Sequence, residues 1–289
     1  MKFLKILSIN LLAVITILSC SEKIEPIATA DILDTTLEYE ELDIVYGDDE
    51  NQTFDLYLPA DRIADTKIII LIHGGGWSAG DKAEMDPLKT LLIQDFPDVA
   101  IVNMNYRLAD SNNKPYPMQT NDINTVIRYL KTNQIKLSIS DQLGFIGASA
   151  GGHLALLWAY SFDTLQKTNM VCSIVGPTNL TDPNFALAAE ESSELDAFLT
   201  LFGEDPTVEY LEEASPLLQV TANAPATILF YGGQDPLIPI SQGADLNEKL
   251  SKLNVTHEYT LYPEAGHGWT GIEFIDTWTK IKAFTIDNL

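Results

Sequence analysis

The residues that could do chemistry begin with Ser149, in Gly147-Ala148-Ser149-Ala150-Gly151. An apolar run over residues 143–146 leads into it, and an amphipathic stretch from Gly152 leads out. A Ser between glycines at a strand-to-helix turn is the pattern of a nucleophile elbow. Such a turn leaves almost no room for flanking side chains, which suits glycine. It lifts the hydroxyl above the sheet, and the helix behind it directs free N–H groups at developing negative charge. A Ser hydroxyl alone is a poor nucleophile at neutral pH. It needs a base, an acid that orients the base, and donors for the oxyanion.

Candidates for all three are present. His267 sits in Gly266-His267-Gly268-Trp269, directly after the last predicted strand, where a mobile imidazole could serve as base. Of the other histidines, His153 is expected to be structural, four residues behind the nucleophile. His257 opens a strand and is expected to be exposed. For the acid, Asp235 follows the penultimate strand in Gly232-Gly233-Gln234-Asp235-Pro236 and would hold the imidazole tautomer. An Asp-Pro turn is the plainer reading of that pair, and Glu264 is a rival acid expected to point to solvent. His73-Gly74-Gly75-Gly76-Trp77 ends an earlier strand and supplies the oxyanion donors, with the N–H groups of Gly75 and Gly76 joining that of Ala150. A triple glycine can also be a flexible loop or phosphate cradle, but no Gly-Lys-Ser/Thr ending follows. His73 is expected to brace the loop.

The elements that must position these residues alternate along the chain. Residues 42–46 and 53–58 alternate in polarity, as half-exposed antiparallel strands do. Continuous apolar runs at 67–72, 99–104, 143–146, 171–175 and 227–231 suit parallel strands buried on both faces. Helical spacing appears over 118–132, 244–253 and 270–284. Alternating β and α elements predict an α/β fold, a doubly wound and mostly parallel sheet with helices on both faces. Residues 177–222 break the rhythm. They are acidic and loop-like, with apolar helix positions at Leu187 and over 198–202, and are expected to form a cap insertion. Phe185, Phe198 and Phe202, with Trp77 and Trp269, are the expected substrate-pocket residues.

The amino terminus has its own logic. A basic start followed by apolar residues 6–18 is too short to span a bilayer, which takes about 20 residues, and reads as a signal peptide over 1–19. An aliphatic residue, a small residue and Cys20 close the run, which resembles the lipobox of bacterial lipoproteins. That resemblance implies lipidation of Cys20, a tether over 20–38 and a place on the cell envelope. The remaining domain spans 39–289. Cys172, the only other cysteine, lies in an apolar run and is expected to be a small buried hydrophobe. A net charge of −24 argues against nucleic acid as a partner and against adhesion through a basic patch. Nothing in the motifs calls for a metal or an organic cofactor, and oligomeric state is left open.

Taken together, His73-Gly74-Gly75-Gly76-Trp77, Gly80-Asp81-Lys82, Asn105-Tyr106-Arg107-Leu108, the elbow through His153, Asp235-Pro236 and Gly266-His267-Gly268 resemble the α/β-hydrolase superfamily. More narrowly, they are similar to its carboxylesterase branch, which includes hormone-sensitive-lipase-like esterases and bacterial acetylxylan and feruloyl esterases. The resemblance implies that Ser149 is the nucleophile, His267 the general base and Asp235 its partner. The substrate it implies is a small-molecule or carbohydrate ester, with Arg107 a structural hydrogen-bonder. Two rivals stay in view, a prolyl-oligopeptidase-type serine peptidase and a non-catalytic binding protein on a hydrolase scaffold.

Overall fold

The computed structural model describes residues 32–289; the predicted signal peptide, Cys20 and the first part of the tether lie outside the described residues. Eight strands form one sheet: β1 (Tyr39–Val45), β2 (Thr53–Leu58), β3 (Ile68–Ile72), β4 (Ala100–Met104), β5 (Leu143–Ala148), β6 (Thr168–Ile174), β7 (Ala226–Gly232) and β8 (His257–Tyr262). Their order is β1-β2-β4-β3-β5-β6-β7-β8. β2 pairs antiparallel with both β1 and β4, and every later pairing is parallel. The α/β fold read from the alternating pattern is the one observed. β2 departs from its expected half-exposure, because it lies between β1 and β4 and is buried along nearly its whole length.

Among the described residues ten α-helices accompany the strands: α1 (Asp86–Asp95), α2 (Pro115–Thr132), α3 (Gln134–Leu137), α4 (Ala150–Ser161), α5 (Pro183–Glu191), α6 (Ser193–Thr200), α7 (Val208–Glu213), α8 (Pro216–Gln219), α9 (Ile240–Leu253) and α10 (Ile272–Asn288). α1 was not legible in the sequence, since it buries only Leu92 fully and carries little periodicity. The sheet separates two apolar layers. Ile70, Val102, Phe145, Val171 and Leu229 face one side, together with Ile123, Leu154 and Leu246 from α2, α4 and α9. Ile69, Leu71, Ile146, Cys172 and Phe230 face the other, with Leu92 of α1 and Ile281 and Phe284 of α10. Cys172 is free and fully buried, and burial pushes its thiol well above the usual range.

Residues 177–222 fold as the four short helices α5–α8 between β6 and β7. Leu187 does not belong to an apolar core there and is 58% exposed. Phe185, two residues earlier on α5, is fully buried. Two residues turn a helix by about 200°, so only one of the pair can face inward. A buried network anchors the segment. The Gln242 side chain accepts from the N–H groups of Thr178 (2.7 Å) and Asn179 (2.8 Å) and donates to Asp182 (2.9 Å).

Register places the chemistry at one edge. Ile72 is level with Gly147, Ala148 with Ile174, Ile174 with Phe230, and Gly232 with Tyr262. The loops after β3, β5, β7 and β8 therefore emerge together at the carboxyl ends of the parallel strands.

Candidate active site

The elbow is built from close backbone approach. Ser149 has φ 52° and ψ −121°, a region that non-glycine residues rarely occupy. The turn is held because Ser149 N–H donates to the Ile174 carbonyl (2.8 Å) and its own carbonyl accepts from His153 N–H (3.0 Å). A Cβ at Gly147 would stand 2.3 Å from the Gly151 carbonyl oxygen, and one at Gly151 would stand 2.2 Å from that of Ile72. Glycine is required at both positions by contact alone. Ser149 itself remains half-buried.

From that hydroxyl a hydrogen-bonded line runs to a buried carboxylate. Ser149 Oγ is 2.9 Å from His267 Nε2, and His267 Nδ1 is 2.8 Å from Asp235 Oδ2. An ionised carboxylate only accepts, so Nδ1 carries the proton and leaves Nε2 free to accept from the Ser hydroxyl. The other carboxylate oxygen, Oδ1, accepts from the N–H groups of Leu237 (2.9 Å) and Ile238 (3.0 Å). The Asp235 side chain is 1% exposed and that of His267 is 23% exposed. Glu264, the rival acid, is exposed.

The glycine loop after β3 turns through positive φ at Gly75 (102°), Gly76 (55°) and Trp77 (63°). Among the described residues, the N–H groups of Gly75, Gly76 and Ala150 donate to no protein acceptor. His73 braces the loop. Its ring stacks on Tyr106 at 4.3 Å, its Nδ1–H donates to the Gly74 carbonyl (2.7 Å), and the Tyr106 hydroxyl bonds the His73 and Gly74 carbonyls, each at 3.0 Å. Burial pulls the His73 pKa down, which keeps the ring neutral. Behind the loop, Asn105 accepts from Lys82 N–H (2.6 Å) and donates to Asp81 (2.9 Å). Lys82 bridges Asp43 and Asp55 at 2.7 and 2.8 Å. Arg107 pairs with buried Asp122 through several contacts of 2.6–3.1 Å, a structural role.

Of the expected pocket residues, three belong to the core. Trp77 is 2% exposed, and its indole N–H donates to His153 Nδ1 (3.1 Å). A buried indole N–H needs an acceptor, and His153 meets that need while its Nε2–H donates to the Ala214 carbonyl (2.8 Å). Burial outweighs that bond and pushes the His153 pKa down to about 4. Phe202 meets the Trp77 ring edge-on at 5.0 Å and is fully buried, as is Phe185. These side chains lock the segment 177–222 to α4, with Gln119 Nε2–H donating to the Trp77 carbonyl (2.6 Å). Phe198 and Trp269 are half-buried and remain beside the site. The Phe198 ring lies on the glycine loop after β3, where a Cβ at Gly76 would be 2.1 Å from it. Trp269 N–H donates to Thr277 (2.8 Å). His257 is half-buried and bonded to Ser251 (2.9 Å), not exposed as expected.

The Asn105–Leu108 motif supplies Tyr106 as a support of the glycine loop, whereas sequence reasoning missed Gln119 and Gln242. Polar residues of ordinary type carry no local signal when their partners lie far along the chain. A cleft of about 680 Å³ opens between Asp235, Pro236 and the α5–α6 junction, lined by Asn184, Glu191, Ser193 and Glu194. A second depression of about 600 Å³ includes Lys67, Asp95 and Leu289. It lies at the amino ends of the strands, away from Ser149.

The sequence profile of the BD-FAE family matches residues 54–250. The esterase LipC of Mycobacterium tuberculosis is 26% identical over 242 residues, which cover 78% of this chain and 59% of LipC. The chain thus spans under two thirds of that relative's length. Among solved structures, a bifunctional GH43-CE protein of Bacteroides eggerthii superimposes with a TM-score of 0.71 at 21% identity, covering 88% of this chain and 38% of that one. A truncated carbohydrate esterase from gut microbiota gives a TM-score of 0.67 at 21% identity, covering 88% and 99%. At that identity the two likenesses concern the fold. The chain belongs to the BD-FAE family.

Proposed function

We propose that this member of the BD-FAE family is a serine carboxylic ester hydrolase that works through an acyl-enzyme on carbohydrate-derived esters, such as acetyl or feruloyl esters. The observation that carries the reading is the unbroken line from Ser149 Oγ through His267 to buried Asp235. In the first half-reaction Ser149 Oγ adds to the ester carbonyl carbon while its proton passes to His267 Nε2. The tetrahedral intermediate collapses, the carbon–oxygen bond to the alcohol breaks, and Nε2–H protonates the leaving oxygen. In the second, His267 takes a proton from water, whose oxygen adds to the acyl carbon. Collapse releases the carboxylic acid and returns the proton to Ser149. Asp235 stabilises the imidazolium in both halves. The N–H groups of Gly75, Gly76 and Ala150 are assigned to the oxyanion, where one such donor contributes roughly 3–4 kcal/mol.

The carbohydrate part of the reading is supported by the structural neighbour called a carbohydrate esterase and by the wide cleft beside Asp235. Glu191 and Glu194 on its rim suit the many hydroxyl donors of a sugar chain. Placement on the bacterial envelope through lipidated Cys20 is also part of the proposal, supported by the sequence pattern at residues 1–20 alone. Assay against acetylated xylan, feruloyl esters and p-nitrophenyl acetate tests the activity. Hydrolysis should fall by roughly 10⁴-fold or more in Ser149→Ala. Unchanged turnover in that variant would refute the mechanism. Preferential cleavage of a dipeptide amide would favour a peptidase.

A further inference from the structure

An apolar cavity stands apart from the polar cleft just described. It has a volume of about 160 Å³ and is walled by Leu88 of α1, Ile174 at the end of β6, Gly268 and Trp269 of the His267 loop, and Phe274 and Trp278 of α10. Three observations bring it to the reacting atoms. Ile174 is the residue whose carbonyl holds the Ser149 N–H at 2.8 Å. Gly268, which lines the cavity, follows His267 directly in the chain. Ala148, immediately before the nucleophile, packs in the same partly buried apolar layer as Leu88, Ile174, Trp269 and Trp278.

We infer that this cavity binds the alcohol portion of the ester, as a site for one six-membered ring. The inference rests on the ester-hydrolase reading. Its logic is the geometry of proton transfer. The oxyanion turns toward the glycine loop and Ala150, while the leaving oxygen must stand within hydrogen-bond reach of His267 Nε2 to receive its proton. Whatever the leaving oxygen carries is therefore directed to the His267 side, where residues 268–269 and α10 form the wall. Size sets the class of alcohol. An engineered protein cavity of about 150 Å³ lined by Leu, Ile and Phe takes up one benzene. The cavity therefore holds one ring, an aryl group or the C–H face of a sugar against Trp269, and excludes two fused rings.

Two substrate series separate this site from an acyl pocket. One varies the alcohol at fixed acetyl (ethyl, phenyl and 2-naphthyl acetate), and the other varies the acyl group at fixed p-nitrophenol (acetate, butyrate, hexanoate). The readout is kcat/KM, which reports steps through acylation and so responds to the alcohol. Phenyl acetate should exceed 2-naphthyl acetate in the wild type. Leu88→Trp, which fills the cavity, should lower kcat/KM for phenyl acetate about ten-fold relative to ethyl acetate, as expected when apolar contacts of this size are lost. Phe274→Ala, which enlarges it, should restore 2-naphthyl acetate to the level of phenyl acetate. Neither variant should change the ratios within the acyl series. Altered acyl ratios, or no change in either series, would overturn the inference. A turnover-independent arm titrates Ser149→Ala protein with phenol and follows Trp fluorescence. Saturable quenching that Leu88→Trp weakens supports the site, and its absence overturns it. Absent Ser149-dependent hydrolysis with intact phenol binding would sink the esterase reading alone.

Discussion

The elbow and the segment 177–222 meet at the same edge of the sheet, yet they are held in opposite ways. At the elbow, backbone meets backbone at distances that admit no side chain, and Ser149 is fixed in a disfavoured conformation by neighbours on both sides. The cap segment is four helices of 9, 8, 6 and 4 residues, too short to be stable alone. Side-chain contacts hold it: Phe202 on Trp77, Phe198 on Gly76, and Gln242 on Asp182. The elbow is fixed by backbone contacts that admit no added side chain, whereas the cap is held by side chains that can be exchanged.

Substitutions can break that contrast or sharpen it. Asp235→Asn carries the largest expected effect. Asn still accepts from Leu237 and Ile238, so the melting temperature should stay close to wild type, while kcat falls by about 10⁴-fold because the imidazole loses its required tautomer. Steady-state kinetics beside a thermal melt would check both. Gly151→Ala should act on folding instead. With the Ile72 carbonyl only 2.2 Å from the added methyl, a loss of about 3 kcal/mol or more is expected in urea unfolding. A loss below 1 kcal/mol would show that the elbow can relax, and the contrast would fail.

His153 joins the two regions and gives a pH signature of similar size. Its folded pKa of about 4 lies below the ordinary 6.5, because burial disfavours the charged ring. The unfolded chain therefore binds more protons between those values. The stability that the neutral ring confers is fully present above pH 6.5 and is lost as pH falls toward 4, a change of about 3 kcal/mol. Chemical denaturation across that range should show the decline. His153→Gln, which retains one donor and one acceptor, should flatten it. Phe198→Ala should have the smallest effect, with kcat/KM reduced less than ten-fold, as removal of a half-buried contact implies. A loss as large as that of Asp235→Asn would place Phe198 within the catalytic machinery.

The same contrast decides what could be read from the residues. Ser149, His267 and Asp235 were legible because each sits in a short glycine-marked motif directly after a strand. Such motifs exist because the backbone must turn sharply there, and that demand is written locally. The doubly wound sheet was legible for a similar reason, since strands buried on both faces leave unbroken apolar runs. Trp77, Phe185 and Phe202 were misplaced. An aromatic residue near a site can face the cleft or the core, and only tertiary packing, here the acceptor offered by His153, decides between them. Leu187 was misplaced because the face that α5 presents inward is chosen by what it meets. Gln119 and Gln242 act on backbone groups 42 and 63–64 positions away along the chain, beyond the reach of any local pattern.

The proposed chemistry requires that Ser149 become covalently acylated. Incubation with a fluorophosphonate probe, followed by peptide mass spectrometry, tests it most directly. One adduct per chain is expected, on the peptide containing Ser149, absent from Ser149→Ala and strongly slowed in His267→Ala. Labelling at another residue, or undiminished labelling of Ser149→Ala, would contradict it.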